Sequence, residues 1–342
     1  MTRIAIVGAA HPHVEYLLDE LAREDRRGFT LIGVQDPDRR IAGAYAERFG
    51  VPGVTDAEAL LSEQPDVVMV AGIYGDRGRD VVAALRAGAH VIADKPLCTS
   101  LAELAAIEEA AAAADRTVSL LLEKRGYPET LAVAEVVAAG ELGEIVGVTT
   151  SAPHKLQRER RPEWFLDRAR YGGVLADLAV HDLDIALLFA PADEGVVQGA
   201  VSAPLEDVPD FARYGVATLR TSSAVVTAEV SWLTPAESDV HGDYRLRLVG
   251  TEGTAEVSWA RHRVEVTTHR RGARLLDLPE GRRPAQDALD ALASGASGAG
   301  AAGGVAAGPG AVDTAASLLA TRLALLAQES ADQDGLPRPW SR

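Results

Sequence analysis

Asp177, His181 and Asp184 are spaced i, i+4 and i+7 within Gly172-Gly173-Val174-Leu175-Ala176-Asp177-Leu178-Ala179-Val180-His181-Asp182-Leu183-Asp184, which places them on one stripe of a helix. The other positions of this helix are dominated by Leu, Ile, Val and Ala, so a titratable stripe there has to face a group that needs it. A carboxylate one turn from an imidazole orients the ring, which suits His181 to general acid/base work near neutral pH with Asp177 holding the site. The plainer alternative is a buried His–Asp pair with a structural role. A second candidate is Lys95, in Val91-Ile92-Ala93-Asp94-Lys95-Pro96. A lysine just past a parallel strand lies on the sheet edge where ligands bind, and the proline fixes the exit of the chain. Taken alone, a lysine at that position reads as a surface residue.

The elements that must position these groups follow from the pattern of apolar runs. Residues 3–7, 31–35, 66–71, 90–93 and 117–122 read as strands separated by helical, Ala- and Leu-rich stretches, which means βαβ units and a doubly wound parallel sheet. In such a sheet the first βα turn holds a dinucleotide, with the pyrophosphate at a helix N-terminus. Here that turn is Gly8-Ala9-Ala10-His11-Pro12-His13. Of the G-x-G-x-x-G fingerprint only Gly8 survives; Ala10 stands where backbone approaches phosphate most closely, and His13 where helix meets strand. Asp36, at the end of the second strand, is placed to accept from the adenosine ribose and to repel a 2′-phosphate, which favours NAD. Arg39 and Arg40 follow closely and could accommodate NADP. His11 and His13 read as turn residues beside phosphate, with no nearby Cys, Asp or Glu taken as a ligand, and no metal is assigned.

Beyond about residue 123 the pattern changes. Residues 128–139 read as a helix, 144–150 as a strand and 173–189 as a second helix; the alternating segments 196–203, 211–219, 224–232, 244–249 and 254–259 read as an antiparallel sheet with one covered face. Residues 291–311 are nearly all Ala, Gly and Ser, an expected surface loop, and a final helix is expected over 312–328. With 342 residues the chain exceeds one ordinary core. A formal charge of −16 disfavours nucleic acid and anionic membrane as partners. The single cysteine, Cys98, excludes a disulfide framework and fits a reducing compartment. The first residues read as a strand running into a turn and not as a cleavable signal, so the expected location is the cytoplasm.

Asp94-Lys95-Pro96 resembles the Glu-Lys-Pro motif, and Gly172-Gly173 through Asp184 resembles the Gly-Gly-x-x-x-Asp-x-x-x-His-x-x-Asp motif, of the glucose-fructose oxidoreductase/inositol dehydrogenase/MocA family. The Gly140–Ile145 and Gly250–Thr254 segments and the Glu329-Ser330-Ala331 tail extend the resemblance over nearly the whole chain. It implies an α/β architecture: an N-terminal Rossmann domain over 1–122, then an α+β domain over 123–342 with a large, mostly antiparallel open sheet serving substrate binding and assembly into a homodimer or homotetramer. It implies Lys95, Asp177 and His181 as catalytic residues. The cofactor residues implied by motif and resemblance together are Gly8, Ala10, His11, His13, Asp36, Arg40, Ile73, Tyr74, Asp94, Lys95 and Pro96. Two departures stand out: Gly72-Ile73-Tyr74-Gly75-Asp76-Arg77 replaces Thr-Pro-Asn-x-x-His, and Asp94 is one methylene shorter than glutamate.

Substrate contacts are expected from Glu123 and Arg125 at the domain junction and from residues 154–164, chiefly Lys155 and Trp164, with Lys95, Asp177 and His181. Aromatic faces and charged groups suit a polyhydroxylated small molecule, and the run of arginines would suit an acidic one. The expected activity is NAD(P)-dependent hydride transfer at a secondary hydroxyl of a sugar, cyclitol or polyol. The alternatives are a glycoside hydrolase using NAD transiently and a non-catalytic NAD-binding sensor.

Overall fold

The computed structural model describes residues 1–294 and 312–342. The chain divides into two compact units, one of residues 1–122, 169–171 and 283–318 and the other of 123–168, 172–282 and 319–342. The chain thus leaves the first unit after Leu122 but returns to it, so the second unit is not the continuous segment 123–342 expected from the sequence.

In the first unit, β1 (Thr2–Val7), β2 (Phe29–Gln35), β3 (Gly53–Val54), β4 (Val67–Val70), β5 (His90–Ala93) and β6 (Val118–Leu120) form a six-stranded sheet in the order β3-β2-β1-β4-β5-β6. Every pairing is parallel, as crossover helices require: α1 (Val14–Leu21), α2 (Arg39–Phe49), α3 (Ala57–Leu61), α4 (Tyr74–Arg86) and α5 (Leu101–Ala114). The order reverses between β1 and β4, where doubly wound sheets open a ligand crevice at the strands' C-terminal ends. Central strands buried on both faces become continuous apolar runs; Ile4–Val7 and Val67–Val70 are all buried. Ser100 caps α5 by accepting from Glu103 N–H, and Glu103 reaches back to accept from the Thr99 N–H and the Thr99 and Ser100 hydroxyls.

In the second unit, α6 (Pro128–Ala138), α7 (Arg168–Tyr171, whose last three residues belong to the first unit) and α8 (Val180–Phe189) accompany a nine-stranded sheet. Its strands are β7 (Ile145–Pro153), β8 (Glu194–Pro204), β9 (Ala212–Arg220), β10 (Val225–Ser231), β11 (Arg245–Gly250), β12 (Gly253–Ser258), β13 (Arg263–Thr268), β14 (Arg271–Leu275) and β15 (Arg338–Ser341), in the order β14-β13-β12-β11-β7-β10-β9-β8-β15. All neighbours are antiparallel except β7 and β10. β3, β13, β14 and β15 escaped the sequence reading because they are short or charge-rich. Two further helices are α9 (Gln286–Ala293) and α10 (Thr314–Asp332). α9 takes the first residues of the expected 291–311 loop, whose remainder, 295–311, lies outside the described residues.

The expected helix 173–189 is not uniform. Leu175–Ala179 form a π-helical turn before α8 begins at Val180. Asp177 and His181 therefore straddle a change of helical pitch, and the regular stripe drawn from 3.6-residue spacing does not hold; such single π turns concentrate at functional sites.

Candidate active site

The first unit gathers its polar groups at the C-terminal ends of β1, β4 and β5. Gly8 has φ +74°, and a Cβ there would stand 2.6 Å from the Gly72 Cα, so the turns after β1 and β4 touch backbone to backbone and only glycine fits. Gly8 N–H donates to the Gln35 carbonyl at 2.9 Å, and Ala9 N–H to Asp36 Oδ2 at 2.8 Å. Asp36 Oδ1 accepts from Asp38 N–H at 2.9 Å. The carboxylate expected to meet a ribose therefore also anchors the turn that carries it.

Asp94 is the centre of this cluster. It is wholly buried, and its carboxylate faces His11 Nδ1 at 2.9 Å, His13 Nδ1 at 2.8 Å and Arg77 Nη2 at 2.7 Å. Burial pushes the carboxyl up, but Arg77, His13 and His11 outweigh it and hold it well below the usual carboxylate range. Burial likewise pushes His11 down to about 4, against the pull of Asp94. His11 is thus neutral near pH 7; with the Tyr74 hydroxyl 3.2 Å from Nε2, its proton is assigned to Nδ1, donated to Asp94. The premise that His11 and His13 have no carboxylate nearby fails: Asp94, 81 residues beyond His13 in sequence, lies against both, and the three form a set able to hold a metal ion.

Arg77 was not singled out in the sequence, although it stands where the resembled motif has histidine. Fully buried, it donates to the carbonyls of Gly72 (2.8 Å), Asp94 (3.0 Å), Lys95 (2.6 Å) and Pro96 (3.0 Å). Its guanidinium lies 4.4 Å from the Tyr74 ring centroid. One side chain thereby fixes the segment that carries Lys95, itself buried, through a cis Lys95–Pro96 peptide. Tyr74 opens α4 beside Ile73. Arg40 is exposed, with its guanidinium on Asp38 at 2.8 Å.

In the second unit three consecutive residues, Glu123, Lys124 and Arg125, face three groups of α8. Glu123 Oε1 lies 3.7 Å from His181 Nε2. Lys124 Nζ donates to both Asp182 oxygens at 2.9 and 3.0 Å and sits over the rings of Tyr244 and Trp259. Arg125 donates to Asp184 at 2.6 and 2.7 Å in a two-pronged pair. All of these groups are buried except Glu123 and Tyr244, which are half-buried. Charges so placed are tolerated because they are paired. Gly172 and Gly173, with φ of +88° and +106°, let the chain enter the π turn. A Cβ on Gly173 would meet Gln328 Oε1 at 2.4 Å, the same oxygen that accepts from Leu175 N–H at 3.0 Å.

The expected substrate groups separate on this geometry. Arg125 is a partner of Asp184 and not an open binding group. Lys155 Nζ donates to the Ser238 carbonyl at 2.6 Å. Trp164 is 9% exposed, edge-on to Phe165. Arg158 pairs with Asp207, and Arg161 lies over Phe165 and Trp232, so these arginines serve their own unit. His154, the first residue of the expected substrate segment, sits among Trp232, His241 and Tyr244 at centroid distances of 5.3, 5.5 and 4.8 Å. Its neighbours come from strands and loops remote in sequence, which no local pattern announces.

Residues 2–121 match the profile of an oxidoreductase family with an NAD-binding Rossmann fold, and residues 130–256 match the GFO/IDH/MocA C-terminal domain. The chain belongs to the Gfo/Idh/MocA family of oxidoreductases. It is 32% identical over 236 residues to a dTDP-3,4-didehydro-2,6-dideoxy-alpha-D-glucose 3-reductase of Actinomadura kijaniata, covering 67% of this chain and 68% of that one. It is 30% identical over 194 residues to the D-glucoside 3-dehydrogenase of Escherichia coli K12, covering 54% and 53%. The match thus spans about half the length of the latter relative. Among solved structures, an inositol dehydrogenase homolog from Azotobacter vinelandii complexed with NADH and myo-inositol superposes with a TM-score of 0.81 at 22% identity, over 99% of this chain and 97% of that one; at that identity the likeness is one of fold. No helix among the described residues is long and apolar enough to cross a membrane.

Proposed function

We propose that the protein is an NAD(P)-dependent oxidoreductase that moves a hydride between nicotinamide and a secondary hydroxyl, or the matching ketone, of a sugar, cyclitol or related polyol. The observation that carries this reading is His181, a buried imidazole with Glu123 3.7 Å from Nε2 and Asp177 on the preceding π turn, in a chain of an NAD-binding oxidoreductase family. Converting the alcohol to a ketone releases a proton together with the hydride, and His181 accepts that proton. Glu123 and Asp177 stabilise the imidazolium that forms, and the Lys95 ammonium stabilises negative charge on the reacting oxygen. Bound nicotinamide supplies the hydride acceptor or donor.

The residues of the first unit fit a dinucleotide. Gly8 lets the turn after β1 pack directly on Gly72 just after β4, and Asp36 retains lone pairs for ribose hydroxyls beyond its two backbone bonds. Ala10, His11 and His13 border the phosphates; Ile73, Tyr74 and the Asp94-Lys95-Pro96 segment border the nicotinamide end. Arg40 already pairs with Asp38, which favours NAD over NADP. On the substrate side, the groups proposed from the second unit are Glu123, Asp177 and His181. A cytoplasmic homo-oligomer formed through the nine-stranded sheet, whose strands leave Val146 and Val225 exposed, completes the proposal.

The test is absorbance at the reduced-nicotinamide band with NAD or NADP across a panel of sugars, cyclitols and sugar acids. Net formation of the reduced cofactor with a free polyol is the expected result. Release of a leaving group from a glycoside without net reduction would point to the hydrolase alternative, and nucleotide binding without turnover of any panel member to a sensor.

A further inference from the structure

Three potential ligand atoms converge in the first unit from places far apart in sequence: one ring nitrogen each of His11 and His13 and a carboxylate oxygen of Asp94, all within 4.8 Å of one another, with Nδ1 of each ring facing an Asp94 oxygen at 2.9 and 2.8 Å. We propose that these three residues form a site for a divalent transition-metal ion of the zinc or cobalt class. Two imidazoles and one carboxylate are a donor set suited to such ions. Closing them onto one ion at bonds of ~2.1 Å takes side-chain movement of about 1 Å. The two rings are held nearly perpendicular, at 87°, with centroids 4.4 Å apart.

The surroundings are those of a built site, where outer partners orient the ligands. The Tyr74 hydroxyl lies 3.2 Å from His11 Nε2; with the ion on Nδ1, the His11 proton resides on Nε2 and is donated to the Tyr74 oxygen, so no proton need leave. His13 is stacked on Tyr16 at 4.5 Å. Arg77 holds Asp94 through Oδ2 and divides its other donors among four backbone carbonyls, which leaves Oδ1, the oxygen facing His13, to the ion. His11 and Asp94 are buried while the His13 side chain is 24% exposed, and that side is the way in. The proposal does not rest on the oxidoreductase reading and is tested without nucleotide.

Tag-free, metal-free full-length protein is titrated with Co2+, following its visible ligand-field bands, and then with Zn2+ in competition. The expected result is one equivalent per chain, displaced by Zn2+. Tyr74→Phe should weaken binding by ~10- to 100-fold and His13→Ala by more than tenfold. His13 is the partly exposed ligand, and thermal melts of His13→Ala establish that it folds. Independently of any variant, X-ray absorption of the wild-type cobalt protein should register two imidazoles in the first coordination sphere. Absence of stoichiometric binding, binding in folded His13→Ala within tenfold of wild type, or a coordination sphere without imidazole would overturn the proposal.

Discussion

Arg77 illustrates what one side chain does in this protein. Its charge lies out of water, balanced by Asp94, and its other donors hold the carbonyls of the Asp94–Pro96 segment in place. Removing one partner of a buried ion pair leaves the other uncompensated, at ~3–5 kcal/mol. Arg77→Met should therefore lower unfolding free energy by about that amount in urea titrations. Arg77→Lys should recover only part of it, since an ammonium cannot reach all the carbonyls that a guanidinium fork serves. Glu20 responds to pH in a defined direction. Burial pushes its carboxyl up, but hydrogen bonds from Arg283 and Arg26 outweigh burial and hold it below its ordinary value of 4.5. A lowered folded value means stability that is fully present above the unfolded value and is lost as pH falls through the folded one. Wild type should exceed Glu20→Gln in stability near pH 7, and the gap should narrow steadily below about pH 4.5; a gap that does not change with pH would remove Glu20 from this role.

At the scale of elements, glycines set the geometry of a turn in each unit, after β1 in the first and before the π turn in the second. Gly8→Ala places a Cβ against backbone at Gly72 in a left-handed conformation, where nothing flexible can yield. It should destabilise the first unit by ~2 kcal/mol or more and abolish nucleotide binding in calorimetry. Gly173→Ala meets the movable end of Gln328, so its cost, ~1–3 kcal/mol, comes mainly from backbone strain. The parallel sheet was legible because β1, β2, β4, β5 and β6 are short, mostly apolar and rich in branched residues, between helical stretches, and the central strands of the second sheet were legible from their alternation. The π turn at Leu175–Ala179 was not, since a one-residue change of pitch leaves the composition of an apolar helix unaltered. β3, with two residues, and β14, with four arginine, glycine or alanine positions before Leu275, carry no periodic signal.

At the scale of the whole molecule, motif spacing in the chain singles out Lys95, Asp177 and His181 as candidates, but the partners that surround such titratable groups come only from folding. Asp94 meets His11 and His13 across 81 to 83 positions, and Glu123, Lys124 and Arg125 meet α8 across nearly 60. The acidic net charge of −16 is likewise a poor guide to local chemistry, because the arginines near residue 160 neutralise or cover groups of their own unit. The account stands on Lys95 and His181 carrying the proton and charge chemistry of one hydride transfer. Steady-state turnover of a reactive polyol with NAD by wild type, Lys95→Ala and His181→Ala tests this most directly. Both variants are expected to retain nucleotide binding and to lose turnover by ~10²–10⁴-fold; turnover at the wild-type rate in both would contradict it.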